Sequence, residues 1–325
     1  MTTRIACVGT GWVAGRHLEV LSRMDDLAIV AVAGREAARA APLAQRYNAQ
    51  AYGDLVQMLD DQQPDALLIC TIPGNHGQAE QAALQRNIPF LVEKPLAADW
   101  QTASEIADAV EQAGLITSVA YHWRYHATVE RARQFLAGRH VALVQGYWLD
   151  STPPPAWWSI EAESGGQLVE QATHIFDLAR LLVGEASQVY AASAPVEHTG
   201  GRRGDVHQAS AATVRFENGA VGTFAATCLL WSQYRAGLHL FGEGFAIELG
   251  ERLLVMSTPE GRQEFHSDAD AFVAEDAAFI QAVRSGDRSG IRSTYADALR
   301  THRLTTQARA SAQQGLALST SPTLF

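Results

Sequence analysis

Glu170 and His174 stand four residues apart, a spacing that places two side chains on the same side of a helix. A neighbouring carboxylate orients an imidazole and favours its protonated form. Such a histidine can take the proton of a hydroxyl group while a hydride leaves the adjacent carbon. Asp177, three residues further on, could be the partner of His174 instead, and a surface ion pair is the alternative without function. Two ligands are too few for zinc, so the sequence predicts no metal site.

The triplet Glu93-Lys94-Pro95 follows an apolar run that is typical of a buried strand. Pro95 fixes its own φ angle and restricts Lys94 to extended geometry. An ammonium group at the end of such a strand can donate hydrogen bonds to a substrate oxygen and stabilise negative charge there. A lysine that simply ends a strand in water is the alternative.

A third pattern, Gly9-x-Gly11-x-x-Ala14, lies between a short apolar strand and a helical pattern. Gly9 allows a sharp turn, Gly11 lets a pyrophosphate approach the backbone, and Ala14 lets the helix pack close to the sheet. The free N–H groups of the helix start, at Trp12 and Val13, would then face the phosphates. The pattern favours a dinucleotide site over an ordinary tight turn.

The end of the second predicted strand indicates which dinucleotide is bound. Gly34 lies 20 positions after Ala14, where an acidic residue usually holds the ribose hydroxyls of NAD. Arg35 and Arg39 can pair with a 2′-phosphate, although an arginine could also lie over the adenine ring and Glu36 opposes added negative charge. The sequence therefore predicts NADP or NAD as cofactor, with NADP favoured.

These residues need a scaffold, and residues 1–121 supply one by alternating apolar strands with helical patterns. Alternation of this kind predicts a doubly wound parallel sheet, a Rossmann domain. Ligands bind at the carboxyl ends of such strands, where Gly34, Pro73 and Glu93 lie.

Residues 122–325 change pattern and predict a second, α+β domain for substrate binding and oligomerisation. Gly165-Gly166 is expected to open one long helix to Leu182, and six strands follow without intervening helices. Asn218-Gly219 is a hairpin signal, so the sheet should be large and mostly antiparallel. Helices on one face would leave the other face to be covered by a second subunit, which predicts a homodimer or homotetramer.

Aromatic residues gather near the predicted domain junction and in a proline-rich loop: Tyr121, Trp123, Tyr125, Trp148, Trp157 and Trp158. Aromatic rings can stack on sugar faces, and Arg124 could bond to hydroxyl groups. Trp157 and Trp158 are the better pocket candidates, while packing in a core or interface is the alternative.

The composition excludes several classes of protein. The 325 residues carry a net charge of −10, which argues against nucleic-acid and anionic membrane surfaces. No apolar run is long enough for a membrane helix, and the first strand begins so early that no signal peptide is expected. The three cysteines are expected to be buried thiols, so the expected location is the cytoplasm.

Taken in order, these motifs resemble the glucose–fructose oxidoreductase, inositol dehydrogenase and rhizopine catabolism (Gfo/Idh/MocA) family. The resemblance rests on the glycine turn with His17, on Thr71-x-Pro73-x-x-His76, on Glu93-Lys94-Pro95, and on Gly165-Gly166 with Glu170, His174 and Asp177. It implies an NAD(P)-dependent oxidoreductase of sugars, cyclitols or their derivatives. It also implies that Lys94 and His174 form the catalytic pair, with Glu170 at a position that is often aspartate.

From the same resemblance, Thr71, Pro73, His76, Glu93 and Lys94 are expected beside the cofactor. Lys94, Trp123, Arg124, Trp157, Trp158, Glu170 and His174 are expected beside the substrate. Two alternatives remain on this scaffold: an NAD-dependent glycoside hydrolase and a non-catalytic protein that senses the cofactor.

Overall fold

The alternating N-terminal elements form a six-stranded parallel sheet. The computed structural model describes residues 2–195 and 204–321. Its first strands are β1 (Thr3–Val8), β2 (Leu27–Ala33), β3 (Gln50–Tyr52), β4 (Ala66–Ile69), β5 (Phe90–Val92) and β6 (Thr117–Val119). The helices between them are α1 (Trp12–Leu21), α2 (Ala37–Gln45), α3 (Leu55–Gln62), α4 (Gln78–Gln85) and α5 (Trp100–Ala113). The order β3-β2-β1-β4-β5-β6, parallel throughout, confirms the predicted doubly wound sheet.

The remaining strands build a nine-stranded sheet that is antiparallel except where β7 and β10 run parallel. Its strands are β7 (Val141–Ser151), β8 (Ala186–Ala194), β9 (Ala209–Phe216), β10 (Val221–Leu230), β11 (Arg235–Gly242), β12 (Phe245–Leu249), β13 (Leu253–Thr258), β14 (Gly261–His266) and β15 (Leu318–Ser319). The helices that follow α5 in the chain are α6 (Ala127–Leu136), α7 (Glu161–Ser164), α8 (Gln167–Glu170), α9 (Thr173–Val183), α10 (Ala271–Ser285) and α11 (Tyr295–Gln314). The predicted fold class is confirmed.

Burial in the nine-stranded sheet alternates along its central strands. In β10, Gly222, Phe224 and Ala226 are buried, whereas Val221 and Thr223 are exposed. Phe224 packs in the core with Phe176 of α9, because alternate side chains of a strand point to opposite faces. The hairpin at Asn218-Gly219 is also confirmed, since Gly219 adopts a φ of +89°.

Two features differ from the sequence-based expectation. The helix expected from Gly165 to Leu182 is divided into two helices, α8 and α9. The N–H of Ala172 donates to Gln167 O, a wider turn than an α-helix makes, and α9 starts after it. Strand β14 was not expected because its side chains are mostly exposed and polar and show no apolar alternation. None of the described helices is both long and apolar enough to cross a bilayer.

The described residues divide into two compact units. The first lies within 1–97, 101–122 and 270–299, and the second within 98–100, 123–269 and 300–325. This division differs from the predicted boundary after residue 121 because residues 270–299 return to the first unit. Phe279 and Ile280 of α10 share a core with Leu18 and Leu21 of α1, a long-range contact that no local pattern reports.

Candidate functional site

The glycine turn of the first unit joins β1 to α1. Gly9 has a φ of +125°, and a Cβ there would lie 2.2 Å from Cys70 O, so only glycine fits. Gly11 precedes the first helical residue, and no described atom outside its chain neighbours lies within 4 Å of an added Cβ. Ala14 is fully buried against the sheet core. The turn thus has the tight bend, open backbone and close helix packing that a pyrophosphate cradle requires.

The first turn of α1 completes this cradle. It holds no acidic residue, so no carboxylate opposes an anion at the helix start. Trp12 is 78% exposed and Val13 is half-buried. These residues fit the predicted dinucleotide site.

The junction between β2 and α2 carries the residues expected to select the cofactor. Gly34 is half-buried, and its N–H donates to Tyr52 O of β3. A Cβ at Gly34 would lie 3.0 Å from Thr10 Cγ2, which is tight but against a side-chain methyl group. Arg35, Glu36 and Arg39 are exposed at the start of α2.

His76 ties two of the predicted cofactor loops together. Its Nδ1 lies 3.1 Å from Leu96 O, and its Nε2 lies 3.1 Å from Thr71 O. Pro73 is buried at the start of the 3₁₀ turn Pro73–Asn75, which lies between Thr71 and His76. Both ring nitrogens face backbone carbonyls, so His76 holds the loops after β4 and β5 in place.

In the triplet after β5, Lys94 is half-buried, and Glu93 and Pro95 are buried. Glu93 Oε2 accepts the backbone N–H of Lys94 at 3.1 Å, and Glu93 Oε1 lies 3.2 Å from His17 Nε2. The Lys94–Pro95 peptide bond is cis. Lys94 is also the single lysine among the 25 lysines and arginines of the chain.

His17, Glu275 and Asp276 form the one group of potential metal ligands among the described residues, with candidate atoms within 4.8 Å of one another. His17 Nδ1 lies 2.7 Å from Asp276 Oδ1. The other ring nitrogen of His17, Nε2, faces Glu93. Hydrogen bonds from His17 to the two carboxylates of Asp276 and Glu93 therefore account for these contacts.

In the second unit, His174 is buried beside two indole rings. Its ring centroid lies 5.5 Å from that of Trp148 and 6.1 Å from that of Trp123, with interplanar angles of 23° and 26°. The two indoles also lie 5.6 Å from each other, so the three rings form one cluster that restricts the imidazole and shields it from water. Trp123 was expected beside the substrate. The stacking role of Trp148 was not foreseen, because the residues are 26 positions apart in the chain.

Glu170 and His174 do not share one helix, since Glu170 ends α8 and His174 is the second residue of α9. Glu170 Oε2 accepts a 2.6 Å hydrogen bond from Trp158 Nε1. Trp158 is buried beside Val206 and Cys228, with Trp157 packed against them. The ring of Trp158 therefore positions the carboxylate of Glu170, and Trp157 is the more accessible of the two.

Asp177 is occupied by a different partner. It accepts two hydrogen bonds from Arg124, at 2.7 and 2.6 Å, and a third of 2.7 Å from Thr301 Oγ1. Both members of this ion pair are buried. The forked geometry of Arg124 matches the carboxylate, so these two residues support the helix that carries His174.

All three cysteines are free and buried, as expected.

Comparisons with known proteins identify the family of the chain. Residues 3–121 match the family model described as "Oxidoreductase family, NAD-binding Rossmann fold", and residues 138–248 match that of the "GFO/IDH/MocA C-terminal domain". The chain is 24% identical to a myo-inositol 2-dehydrogenase of Thermotoga maritima over 302 residues, which is 87% of this chain and 89% of that protein.

Two further proteins illustrate the likeness. A levoglucosan dehydrogenase of Pseudarthrobacter phenanthrenivorans is 30% identical over 219 residues, or 58% of this chain and 56% of that protein. A crystal structure of a levoglucosan dehydrogenase in complex with NADH and levoglucosan superposes with a TM-score of 0.88 at 20% identity, covering 98% of this chain and 99% of that one. The chain therefore belongs to the Gfo/Idh/MocA family of NAD-binding oxidoreductases.

Proposed function

We propose that this protein transfers a hydride between a nicotinamide cofactor and a hydroxyl or carbonyl carbon of a sugar, cyclitol or sugar derivative. Lys94 and His174 act on the oxygen of that carbon. The names of the relatives, an inositol dehydrogenase and a levoglucosan dehydrogenase, support this substrate class.

The observation that carries the proposal is the lysine at position 94. All of the other 24 residues counted as lysine or arginine are arginines. Arginine is a planar, permanently charged fork, whereas lysine is a compact ammonium on a flexible stem. A lysine kept only at the carboxyl end of a buried strand favours a role that a guanidinium cannot fill. Donation to a single oxygen atom is such a role.

His174 supplies the second group. Trp123 and Trp148 pack against its ring, and Glu170 is itself held by Trp158. In the oxidising direction, His174 accepts the proton of the hydroxyl group. The ammonium of Lys94 donates a hydrogen bond to the same oxygen, which stabilises the charge that develops there. In the reducing direction, His174 gives the proton to the former carbonyl oxygen, which becomes the new hydroxyl group.

The residues present fit a nicotinamide dinucleotide, because the Gly9–Ala14 turn leaves an open backbone cradle at the start of α1. That cofactor, when bound, supplies the hydride acceptor or donor. We propose NADP as the preferred form. The support is the lack of a carboxylate at Gly34 and the exposure of Arg35 and Arg39 at the start of α2.

A substrate screen tests the proposal. Aldoses, inositols and amino or deoxy sugars are incubated with NAD and with NADP, and the absorbance of the reduced nicotinamide is followed. We expect at least one compound to give turnover that depends on enzyme and on cofactor. Release of nitrophenol from a nitrophenyl glycoside without net cofactor reduction would contradict the proposal and identify a glycoside hydrolase.

A further inference from the structure

His17 occupies a buried position between two carboxylates of the first unit. It lies on α1, six residues after Gly11, and its side chain is fully buried. Asp276 on α10 faces Nδ1 at 2.7 Å, and Glu93 after β5 faces Nε2 at 3.2 Å. Carboxylate oxygens are acceptors, so both contacts are hydrogen bonds only when both ring nitrogens carry protons.

The other groups around His17 do not offer a competing positive charge. On α1 itself, Arg16 pairs with Glu19 and with Asp270 at the start of α10. Glu275 on α10 adds a further carboxyl group, and the thiols of Cys7 and Cys70 lie in the same core. Contact with Cys7 and burial raise the pKa of Cys70 well above its ordinary value, so this thiol stays neutral. The surroundings of His17 therefore favour an imidazolium.

The pKa of His17 is shifted in the direction that favours the imidazolium. Burial alone disfavours the charged ring, but the charges and hydrogen bonds of Asp276 and Glu93 outweigh burial and raise the pKa well above its ordinary value. His17 is thus protonated through neutral pH and loses its proton only as the pH rises through this raised pKa.

The network leads directly to Lys94. Glu93 accepts from His17 with one oxygen and from the backbone N–H of Lys94 with the other. A carboxylate held at both oxygens is fixed in rotation, so it fixes the peptide that it accepts from. We propose that His17 is a positioning residue: its imidazolium, clamped by Asp276, orients Glu93 and thereby the backbone of Lys94. This inference rests on the proposed role of Lys94 at the substrate oxygen.

The single lysine makes a direct test possible. Protein made with ¹⁵N-lysine and a lysine-free tag gives one backbone amide signal, that of Lys94. We expect this signal to move in His17→Gln and in Asp276→Asn, and to stay in place in Phe272→Leu. Phe272 contacts the His17 ring edge at 5.2 Å between centroids, so its replacement removes packing but leaves both carboxylates. An unchanged signal in a folded His17→Gln or Asp276→Asn protein overturns the inference.

A pH series on the wild type provides the second readout. We expect the Lys94 amide signal to be constant through neutral pH and to approach its position in His17→Gln as the pH rises above that range. A midpoint near the ordinary pKa of histidine would overturn the inference, because an imidazole clamped by two carboxylates must titrate later.

Kinetics complete the test. His17→Gln and Glu93→Gln should each lower kcat by about tenfold to a hundredfold, the scale expected from misplacing a catalytic group by roughly 1 Å. The double variant His17→Gln/Glu93→Gln should lose no more kcat than either single variant, because both substitutions remove the same His17–Glu93 interaction. If Lys94→Met keeps normal turnover, the proposed function fails while the amide test remains valid. If Lys94→Met is inactive but His17→Gln has wild-type kcat, the inference alone fails.

Discussion

Lys94 and His174 are positioned by different means. The peptide of Lys94 is held through a carboxylate, whereas the ring of His174 is held by packing against two indoles. Ring packing of this kind restricts the orientation of the imidazole. Arg124 and Asp177 belong to this support, because their buried ion pair ties the segment before α6 to α9.

Replacing either proposed catalytic group should remove most turnover. We expect Lys94→Met to lower kcat by about a hundredfold to a thousandfold, since it removes the donor to the developing charge. His174→Gln should lower kcat by about a hundredfold to ten-thousandfold, the usual contribution of a general base. Steady-state kinetics, together with cofactor affinity measured by fluorescence titration, separates loss of chemistry from loss of binding.

Two controls sharpen this prediction. Lys94→Arg keeps a positive charge but changes its geometry, so turnover should stay low; full activity would show that charge alone suffices. His302→Gln removes another buried imidazole of the second unit, whose Nε2 lies 2.9 Å from Asp99 O. That variant should retain turnover when folded. Near-normal kcat in Lys94→Met or His174→Gln would refute the assignment.

Among the elements, the junction of β2 and α2 is where we expect cofactor choice to be decided. Strand β2 ends at Ala33, and the next residue lacks the carboxylate that would bind the ribose hydroxyls of NAD. The start of α2 instead presents exposed arginines.

We expect the wild type to use NADP with higher kcat/KM than NAD. Arg35→Ala should reduce this preference because it removes a charge-assisted pair with the 2′-phosphate. Gly34→Asp should shift preference toward NAD by supplying the missing carboxylate. Steady-state kinetics with both cofactors measures each ratio.

The control for crowding is Gly34→Ala. Its Cβ would contact Thr10 Cγ2 at 3.0 Å, as the Cβ of aspartate would, but it adds no charge. Gly34→Ala should therefore lower efficiency with both cofactors alike. Equal or better efficiency of the wild type with NAD would overturn the NADP proposal and leave Arg35 as a residue that stacks on adenine.

For the whole molecule, the nine-stranded sheet presents one face that the described residues do not bury. A row of neighbouring residues crosses it from β8 to β11: Tyr190, Thr213, Thr223, Gln145 and His239. Near this face the turn from β10 to β11 exposes Trp231 at 95% and Tyr234 at 76%. Large exposed aromatic side chains beside an uncovered sheet favour association.

We propose that a second copy of the chain covers this face, and we expect a homodimer or homotetramer. Light scattering at micromolar concentration should give a multiple of the monomer mass. Thr223→Lys, in the middle of the row, should lower that mass because it would bury an unpaired charge. Glu111→Lys on the exposed side of α5 adds the same residue elsewhere and should leave the mass unchanged. A monomeric wild type would contradict the proposal.

The sequence by itself determined the features that depend on near neighbours in the chain. Gly9, Gly11 and Ala14 identified the cradle because a tight turn, an open backbone and close packing each require a small residue at a fixed position. Alternating strand and helix patterns determined the parallel sheet, and the Asn218-Gly219 turn between two apolar strands indicated an antiparallel second sheet.

Only the tertiary structure decided which distant side chains meet. In the folded chain, Asp276 lies against His17, and Trp148 packs on His174. Asp177 accepts hydrogen bonds from Arg124, and Glu170 accepts one from Trp158. The tertiary structure also broke the helix expected after Gly166, since one wide turn at Ala172 separates Glu170 from His174. Spacing along a chain fixes which side chains share an element, but the partner of a buried charge or ring is chosen by packing between elements, where each such group must find a counterpart.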